Sequence, residues 1–488
     1  MNLESIFLGA TFDDFLLRPQ CGVLNTRKGA DLSMPLTTNL QIDLPIISAN
    51  MHTVTGQEMA KGLALEGGFS FLPRHCPIKE QALMVRNVKR QHSFIIENPL
   101  CIHADAIIAE AVEMTGERGI SGLLVEKKQG SNILVGVLSK RDIEYALSVN
   151  ASHEKVSGFM SAMSPTLAVA HPTISMAAAE KLMLERRVEK LPLIEQEDNQ
   201  WHIKGLITLK DLRLAKKKPY SSKDGRGRLL VGATIGATSD YMERASELIG
   251  EEVDCILMDI AHGHSEIMRK AVEDFRKRFG NIELVCGNVA TFEGANFFSE
   301  LGVNGMKIGI GPGKGCRTRL ETSAGVPQLQ AIREAYLAVG DEIPIIADGG
   351  VREDKDIALA VLCGASTVML GSMLAGTDEA PGVIIEDPRT KQKVKIYRGM
   401  TSPQAVFETT SRENLEEALE TAAEGLSTEV PYIGPVLNVL GRIRGHLQSA
   451  VSYAGEKTLK EARRKIAQDP ANYLIRLSEA SKRESFER

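Results

Sequence analysis

Residues 229–260 read LLVGATIGATSDYMERASELIGEEVDCILMDI. Two short, almost wholly apolar runs, "LLVGATI" (229–235) and "CILMDI" (255–260), flank "SDYMERASELIGEE" (239–252), where apolar residues recur at helical spacing. A strand that stays apolar on both faces is buried on both faces, as in a parallel sheet covered by helices. The stretch is therefore one β-α-β unit. The same pattern extends outward through "LPIISA" (44–49), "GFSFLP" (68–73), "ELVCGN" (283–288), "GMKIGI" (305–310), "IPIIAD" (343–348) and "TVMLG" (367–371). Helical stretches such as "VPQLQAIREAYLAVG" (326–340) separate them. Eight such units are the number in a (β/α)8 TIM barrel; a doubly wound open sheet uses the same units and is the alternative.

One interval is too long for a crossover. Between the run ending at 73 and the run beginning at 229 lies an internal repeat. "RGISGLLVE" (118–126) and "RVEKLPLIE" (187–195) share an offset of 69 residues, as do "GVLSKRD" (136–142) and "GLITLKD" (205–211). Each copy reads helix, strand, turn, strand, helix, and neither could bury its sheet face alone. The polar, breaker-rich "LAKKKPYSSKDGRGR" (214–228) reads as the return linker. The expected organisation is a barrel part at 1–92, an inserted repeat pair at 93–216 and the rest of the barrel at 217–488, whose last residues, 470–488, read as a frayed helix or an ordered arm.

A net charge of −5 gives no footprint for nucleic acid or an anionic membrane. No apolar run approaches the roughly 20 residues of a spanning helix. "MNLESIFLGATFDD" lacks the basic start and apolar core of a signal peptide. Seven scattered cysteines without a CxxC pair argue against a disulfide framework or a zinc site, and a reducing, cytoplasmic setting is expected.

In a barrel, function gathers at the carboxyl ends of the strands. Those ends carry Asn50 and His52, Asp259 and His262, Asn288 and Thr291, the Cys316 loop, Asp348-Gly349-Gly350, and Gly371-Ser372. Glycines ending the last two strands suit a phosphate, and equally a tight turn. "GIGPGKGCRTR" (309–319) is too rich in glycine for regular structure. Lys314, Arg317 and Arg319 are placed to favour a Cys316 thiolate, and Thr318 to handle a proton. The alternative is an inert cysteine in a loop. His262 and His264 form only a weak metal pair. In the repeats, Ser139 with Asp142 and Thr208 with Asp211 suit either a nucleotide ribose and phosphate or a helix N-cap.

The residues resemble one known family, the IMP dehydrogenase/GMP reductase enzymes. The matching stretches are "ANMHTVTG" (49–56), "MDIAHGHS" (258–265), "CGNVAT" (286–291), "GIGPGKGCRTR" (309–319), "GVPQ" (325–328), "IADGGVR" (346–352), "VMLGSMLAGTDEAPG" (368–382) and "YRGM" (397–400). The inserted repeat resembles a tandem CBS (Bateman) domain. The resemblance implies that Cys316 attacks C2 of a purine monophosphate to form a covalent intermediate, assisted by Thr318. It implies that Asp348 holds the ribose, that Gly350, Gly371, Ser372 and Tyr397 hold the phosphate, and that Met51, Gly399, Met400 and Glu424 frame the base. Asp259, Ala261, Asn288 and Arg319 would meet the nicotinamide cofactor, and carbonyls of Gly311, Gly313 and Cys316 a potassium ion. It further implies ATP or GTP bound at the CBS pair through Ser139, Asp142, Thr208 and Asp211, and a homotetramer or octamer.

The dehydrogenases activate water with a flap Arg-Tyr pair. Here Arg412 is followed by Glu413 and Asn414, and no tyrosine lies between Tyr397 and Tyr432. Asn50 in "ANM" also resembles the reductases. The expected activity is therefore NADPH-dependent conversion of GMP to IMP and ammonia. The alternatives are NAD-dependent IMP dehydrogenase and a nucleotide sensor with degraded catalysis. Lys314, His52 and Pro403 depart from the family pattern. Pro403 stands where many reductases place a proton-relaying glutamate, which leaves that acid open between Glu408 and Glu424, working with Thr318.

Overall fold

The computed structural model describes the chain apart from residues 1–3, 91–94, 97–98, 119, 166, 211, 214–219, 387, 389, 400–424 and 487–488. The eight apolar runs form β1 (Ile46–Ser48), β2 (Phe69–Leu72), β3 (Gly232–Ile235), β4 (Cys255–Asp259), β5 (Leu284–Val289), β6 (Gly305–Ile308), β7 (Ile345–Asp348) and β8 (Thr367–Leu370). They close into a parallel barrel in chain order, β8 pairing with β1 and β2 with β3. The open-sheet alternative is thereby excluded. The helices following the strands are α1 (Gln57–Leu65), α2 (Ile78–Lys89), α3 (Tyr241–Gly250), α4 (Glu266–Phe279), α5 (Phe292–Glu300), α6 (Gln328–Val339), α7 (Asp354–Leu362) and α8 (Val436–Tyr453).

Every barrel-strand residue is buried except Asn288 and Asp348, both at or near carboxyl ends. That burial explains the near-continuous apolar runs. Packing is close where strands meet: a methyl group on Gly232 would come within 2.5 Å of the Phe71 ring, so only glycine leaves room for that ring. Ser265 and Thr291, two of the polar residues beyond the strands, accept from Met268 N–H and Gly294 N–H and so cap α4 and α5.

The chain divides into two compact units. One comprises Met1–Gln91, Tyr220–Lys223 and Leu229–Arg488, the other His92–Pro219 with Asp224–Arg228. In the second unit the first repeat forms a helix (Ile108–Arg118), two strands (Gly122–Glu126, Leu134–Ser139) and a helix (Lys140–Ser148). The second repeat forms a helix (Met176–Arg186) and two strands (Lys190–Glu197, Gln200–Thr208). Leu124, Leu134 and Val137 of one copy share a core with Ile194, Ile203 and Leu206 of the other. Asn132 and Ile203 exchange hydrogen bonds of 2.9 and 2.8 Å, so each copy covers the other's sheet.

The end of the chain is an ordered arm: Leu474–Arg476 pairs antiparallel with Phe15–Leu17, and a helix follows at Glu479–Phe486.

Candidate active site

The loop leaving β6 holds Cys316, partly exposed, in a turn closed by its own N–H donating to the Gly313 carbonyl at 3.0 Å. Cys316 Sγ lies 3.2 Å from Thr318 Oγ1, at the first residue of a short helix (Thr318–Thr322). The flanking cations carry further contacts of their own, Arg319 beside its electrostatic interaction with Cys316. Arg317 pairs with Glu321 at 2.7 Å. Arg319 donates to the carbonyls of Ile310 and Val326 and fastens the loop to the start of α6. Lys314 is exposed. The other cysteines of the barrel core are held protonated by burial: Cys363 is pushed up to about 12, and Cys255 and Cys286 well above their ordinary value.

The Cys316 loop rests on backbone. Gly349 and Gly350, directly after β7, have φ of 88° and 78°, a region that favours glycine. Side chains there would press on Pro312 and Gly313. From β9 (Lys393–Arg398), Gly399 packs so closely that a Cβ would run into the Gly315 carbonyl. Leu426 N–H donates to that carbonyl at 3.0 Å, and Leu426 O accepts from Gly399 N–H at 2.8 Å. Both residues flanking 400–424 are thus fixed beside Cys316, which bridges to Gly425. Tyr397 is 4% exposed and donates to Met51 Sδ at 3.5 Å. A Cβ on Gly371 would lie 2.7 Å from the Tyr397 hydroxyl, so the phenol stands against the carboxyl end of β8. Burial, with Asp348 and Cys316 nearby, pushes the Tyr397 pKa up and keeps the phenol a donor. The structure therefore gathers Cys316, Thr318, Asp348, Gly350, Gly371, Ser372, Tyr397, Met51 and Gly399 at the β6–β8 side. Met400, Glu408 and Glu424 lie outside the described residues.

A charged network crosses the mouth beside this corner. Lys307, on β6, places Nζ 2.6 Å from Asp348 Oδ2 and 3.0 Å from Asp259 Oδ1. Asn50 Nδ2 donates to Asp259 Oδ2 at 2.7 Å. Asn288 Nδ2 donates to Asp348 Oδ2 at 3.0 Å and to the Gly309 carbonyl at 2.7 Å. Burial pulls the Lys307 pKa down, but the two carboxylates outweigh it and push it up to about 12. Asn288 Oδ1 is buried without a hydrogen-bond partner, an acceptor left for a bound donor. Ala261 is exposed. His264 stacks on Phe297 with ring centroids 4.9 Å apart.

Three residues of this face were not singled out from the sequence. Lys307 had a signal, a lone cation inside the apolar run "GMKIGI". Arg74 and His75 follow β2. The Arg74 Nη1 lies 3.2 Å from where a Gly236 Cβ would stand, beyond β3. Among the described residues no carboxylate is within ion-pair distance of Arg74. Burial, backed by Arg74 and His52 against the pull of Asp259, lowers the His75 pKa to about 4, so its ring is neutral at pH 7. In the inserted unit, Ser139 and Asp142 form a reciprocal capping box on the helix Lys140–Ser148, with Ser139 N–H donating to Asp142 Oδ2 at 2.8 Å. Thr208 ends its strand, and Asp211 lies outside the described residues.

Comparison with known proteins bears on these residues together. The family model described as IMP dehydrogenase / GMP reductase domain matches residues 9–487. The chain is 40% identical over 459 residues to an inosine-5'-monophosphate dehydrogenase of Nitrosopumilus maritimus, covering 93% of this chain and 94% of that one. It is 38% identical over 495 residues to a GMP reductase of Leishmania donovani, covering 99% and 97%. Among solved structures, a cysteine-to-alanine variant of Trypanosoma brucei GMP reductase with guanosine 5'-monophosphate bound superposes with a TM-score of 0.82 at 36% identity, covering 99% and 98%. The same enzyme with guanosine 5'-triphosphate gives 0.72 at 33% identity, covering 97% and 99%.

Proposed function

The chain belongs to the IMP dehydrogenase/GMP reductase family, and we propose that within it the protein is a GMP reductase. The overall conversion is GMP, NADPH and two protons to IMP, NADP+ and ammonium. The Cys316 thiolate adds to purine C2. The bond from C2 to the exocyclic amine then breaks, ammonia leaves, and the purine stays on sulfur. Thr318, 3.2 Å from that sulfur, is the nearest hydroxyl to carry a proton toward the departing amine. The reduced nicotinamide cofactor supplies the hydride that replaces sulfur at C2, which returns Cys316 as thiolate. Asp348 accepts from the ribose. The backbone of Gly350, Gly371 and Ser372, with the Tyr397 hydroxyl, holds the phosphate. The unpartnered Oδ1 of Asn288 fits a carboxamide donor of the cofactor. Asp259 accepts from its ribose, beside Ala261. The carbonyls of Gly311, Gly313 and Cys316 would hold a potassium ion, the Gly313 carbonyl keeping a lone pair beside its bond from Cys316 N–H, and the ion would supply positive charge that steadies the loop.

One observation carries the choice of reaction. From 398 to 431 there is no tyrosine to join Arg412 in activating water, and reductive deamination needs no water. The second reading, IMP dehydrogenase, is favoured by the 40% identity to an enzyme of that name. Supplying the full chain with GMP and NADPH, or with IMP and NAD, and following nicotinamide absorbance tests the two. Turnover of the first pair only is expected. Turnover of the second only would make the protein a dehydrogenase, and turnover of neither a sensor.

The inserted unit acts as a tandem CBS pair that binds ATP or GTP, with Asp142 and Asp211 toward the riboses and Ser139 and Thr208 toward phosphate, in a tetramer or octamer. The 69-residue repeat and the mutual covering of its copies support this reading. So does the guanosine triphosphate complex of the trypanosomal relative. A change in turnover with added GTP or ATP, alongside light scattering for the assembly, tests it.

A further inference from the structure

Lys307 is only 3% exposed and stands on β6, yet it reaches Asp259 at the end of β4. β5 lies between those strands, so the ammonium reaches across the barrel interior rather than along a sheet edge. Its other bond is to Asp348, on the neighbouring β7. The two carboxylates it joins are the ones read above as holding the purine-nucleotide ribose and the cofactor ribose. We propose that Lys307 is a positioning residue shared by the two binding sites, which holds both carboxylates aimed into the mouth.

The geometry gives the reason. Two carboxylates facing one buried interior need a counter-charge between them, and one ammonium bonded to both fixes which oxygen each turns toward a sugar hydroxyl. Within the network, Asn50 and Asn288 orient one oxygen of each acid but bring no charge. Sharing also ties the sites together. Without the Asp348 carboxylate, as in Asp348→Asn, Lys307 would bear on Asp259 alone and draw that carboxylate away from its ligand.

The inference rests on the proposed roles of Asp348 and Asp259, and its test separates the two levels. GMP and NADP+ form a pair with no hydride to transfer, so both can be titrated into the full chain without catalytic turnover. Lys307→Gln is expected to weaken GMP, and NADP+ at saturating GMP, by roughly tenfold each, the scale of losing a hydrogen bond to a charged group. Lys307→Arg, which keeps the charge, is expected to recover most of both. A change in one ligand only, or a lowered melting temperature with both affinities intact, would overturn the inference. Should Lys307→Gln fail to fold, Asp348→Asn decides. It is expected to weaken NADP+ several-fold at saturating GMP, although Asp348 faces the other ligand, and an unchanged NADP+ affinity overturns the proposal. A wild-type protein that binds neither ligand sinks the function itself. One that binds both, with Lys307 indifferent, sinks only this inference.

Discussion

The two halves of the barrel mouth are built from different materials. From β6 to β8 the surface is backbone: glycines at 315, 349, 350, 371 and 399 let the Cys316 loop, the β7 turn and Tyr397 pack with almost no side chain between them. From β1 to β5 the surface is side chain: Asn50, Arg74, His75, Asp259 and Asn288 supply charge and hydrogen-bond groups. Close-packed backbone gives one fixed geometry, which suits a small ligand that must meet a nucleophile. A charged side-chain surface adjusts, which suits a larger, exchangeable ligand. Lys307, on β6, and Asn288, on β5, each bond across to the other half.

Breaking the rigid half should cost most. Cys316→Ala is expected to take turnover to background while purine-nucleotide binding persists, measured by steady-state rates and calorimetry. Substantial residual turnover would remove the nucleophile. Gly399→Ala would push Gly315 and shift Cys316, and a displacement near 1 Å costs on the order of a hundredfold in kcat. An unchanged kcat would mean that the loop tolerates movement and the comparison is wrong. Tyr397→Phe removes one donor, and about a tenfold loss of GMP affinity with little change in kcat is expected.

The adaptable half should respond more weakly. His75 has its pKa lowered to about 4 from an ordinary 6.5, so the unfolded chain binds its proton first as pH falls. Its contribution to stability is complete above about 6.5 and is lost between there and about 4. His75→Gln should flatten the fall in melting temperature over that interval. An unchanged slope would show that His75 does not carry it.

Much of the fold was legible because burial on both faces writes itself as continuous apolar runs. All eight runs became barrel strands, including the short "TVMLG". The β6–β8 corner of the candidate site was legible where backbone chemistry demands a residue type, as with Gly349 and Gly350. Side-chain commitments were not. Arg319 read as a cation for Cys316 and does act on that thiol electrostatically, but its donors also hold loop carbonyls, a commitment fixed by how the loop folds. Ser139 and Asp142 carry both the cap and the ribose reading in the sequence, and here they cap a helix with each other. Lys307 showed only as a lone cation in an apolar run, and its role was not legible for a physical reason: its partners, Asp259 and Asp348, are distant in sequence and meet it only when the barrel closes.

The most direct measurement counts products. With the full chain, GMP and NADPH, ammonium and IMP should appear one for one with NADPH oxidised, and Cys316→Ala should release neither. NADPH oxidation without ammonium, or NAD reduction by IMP as the sole productive reaction, would contradict the account.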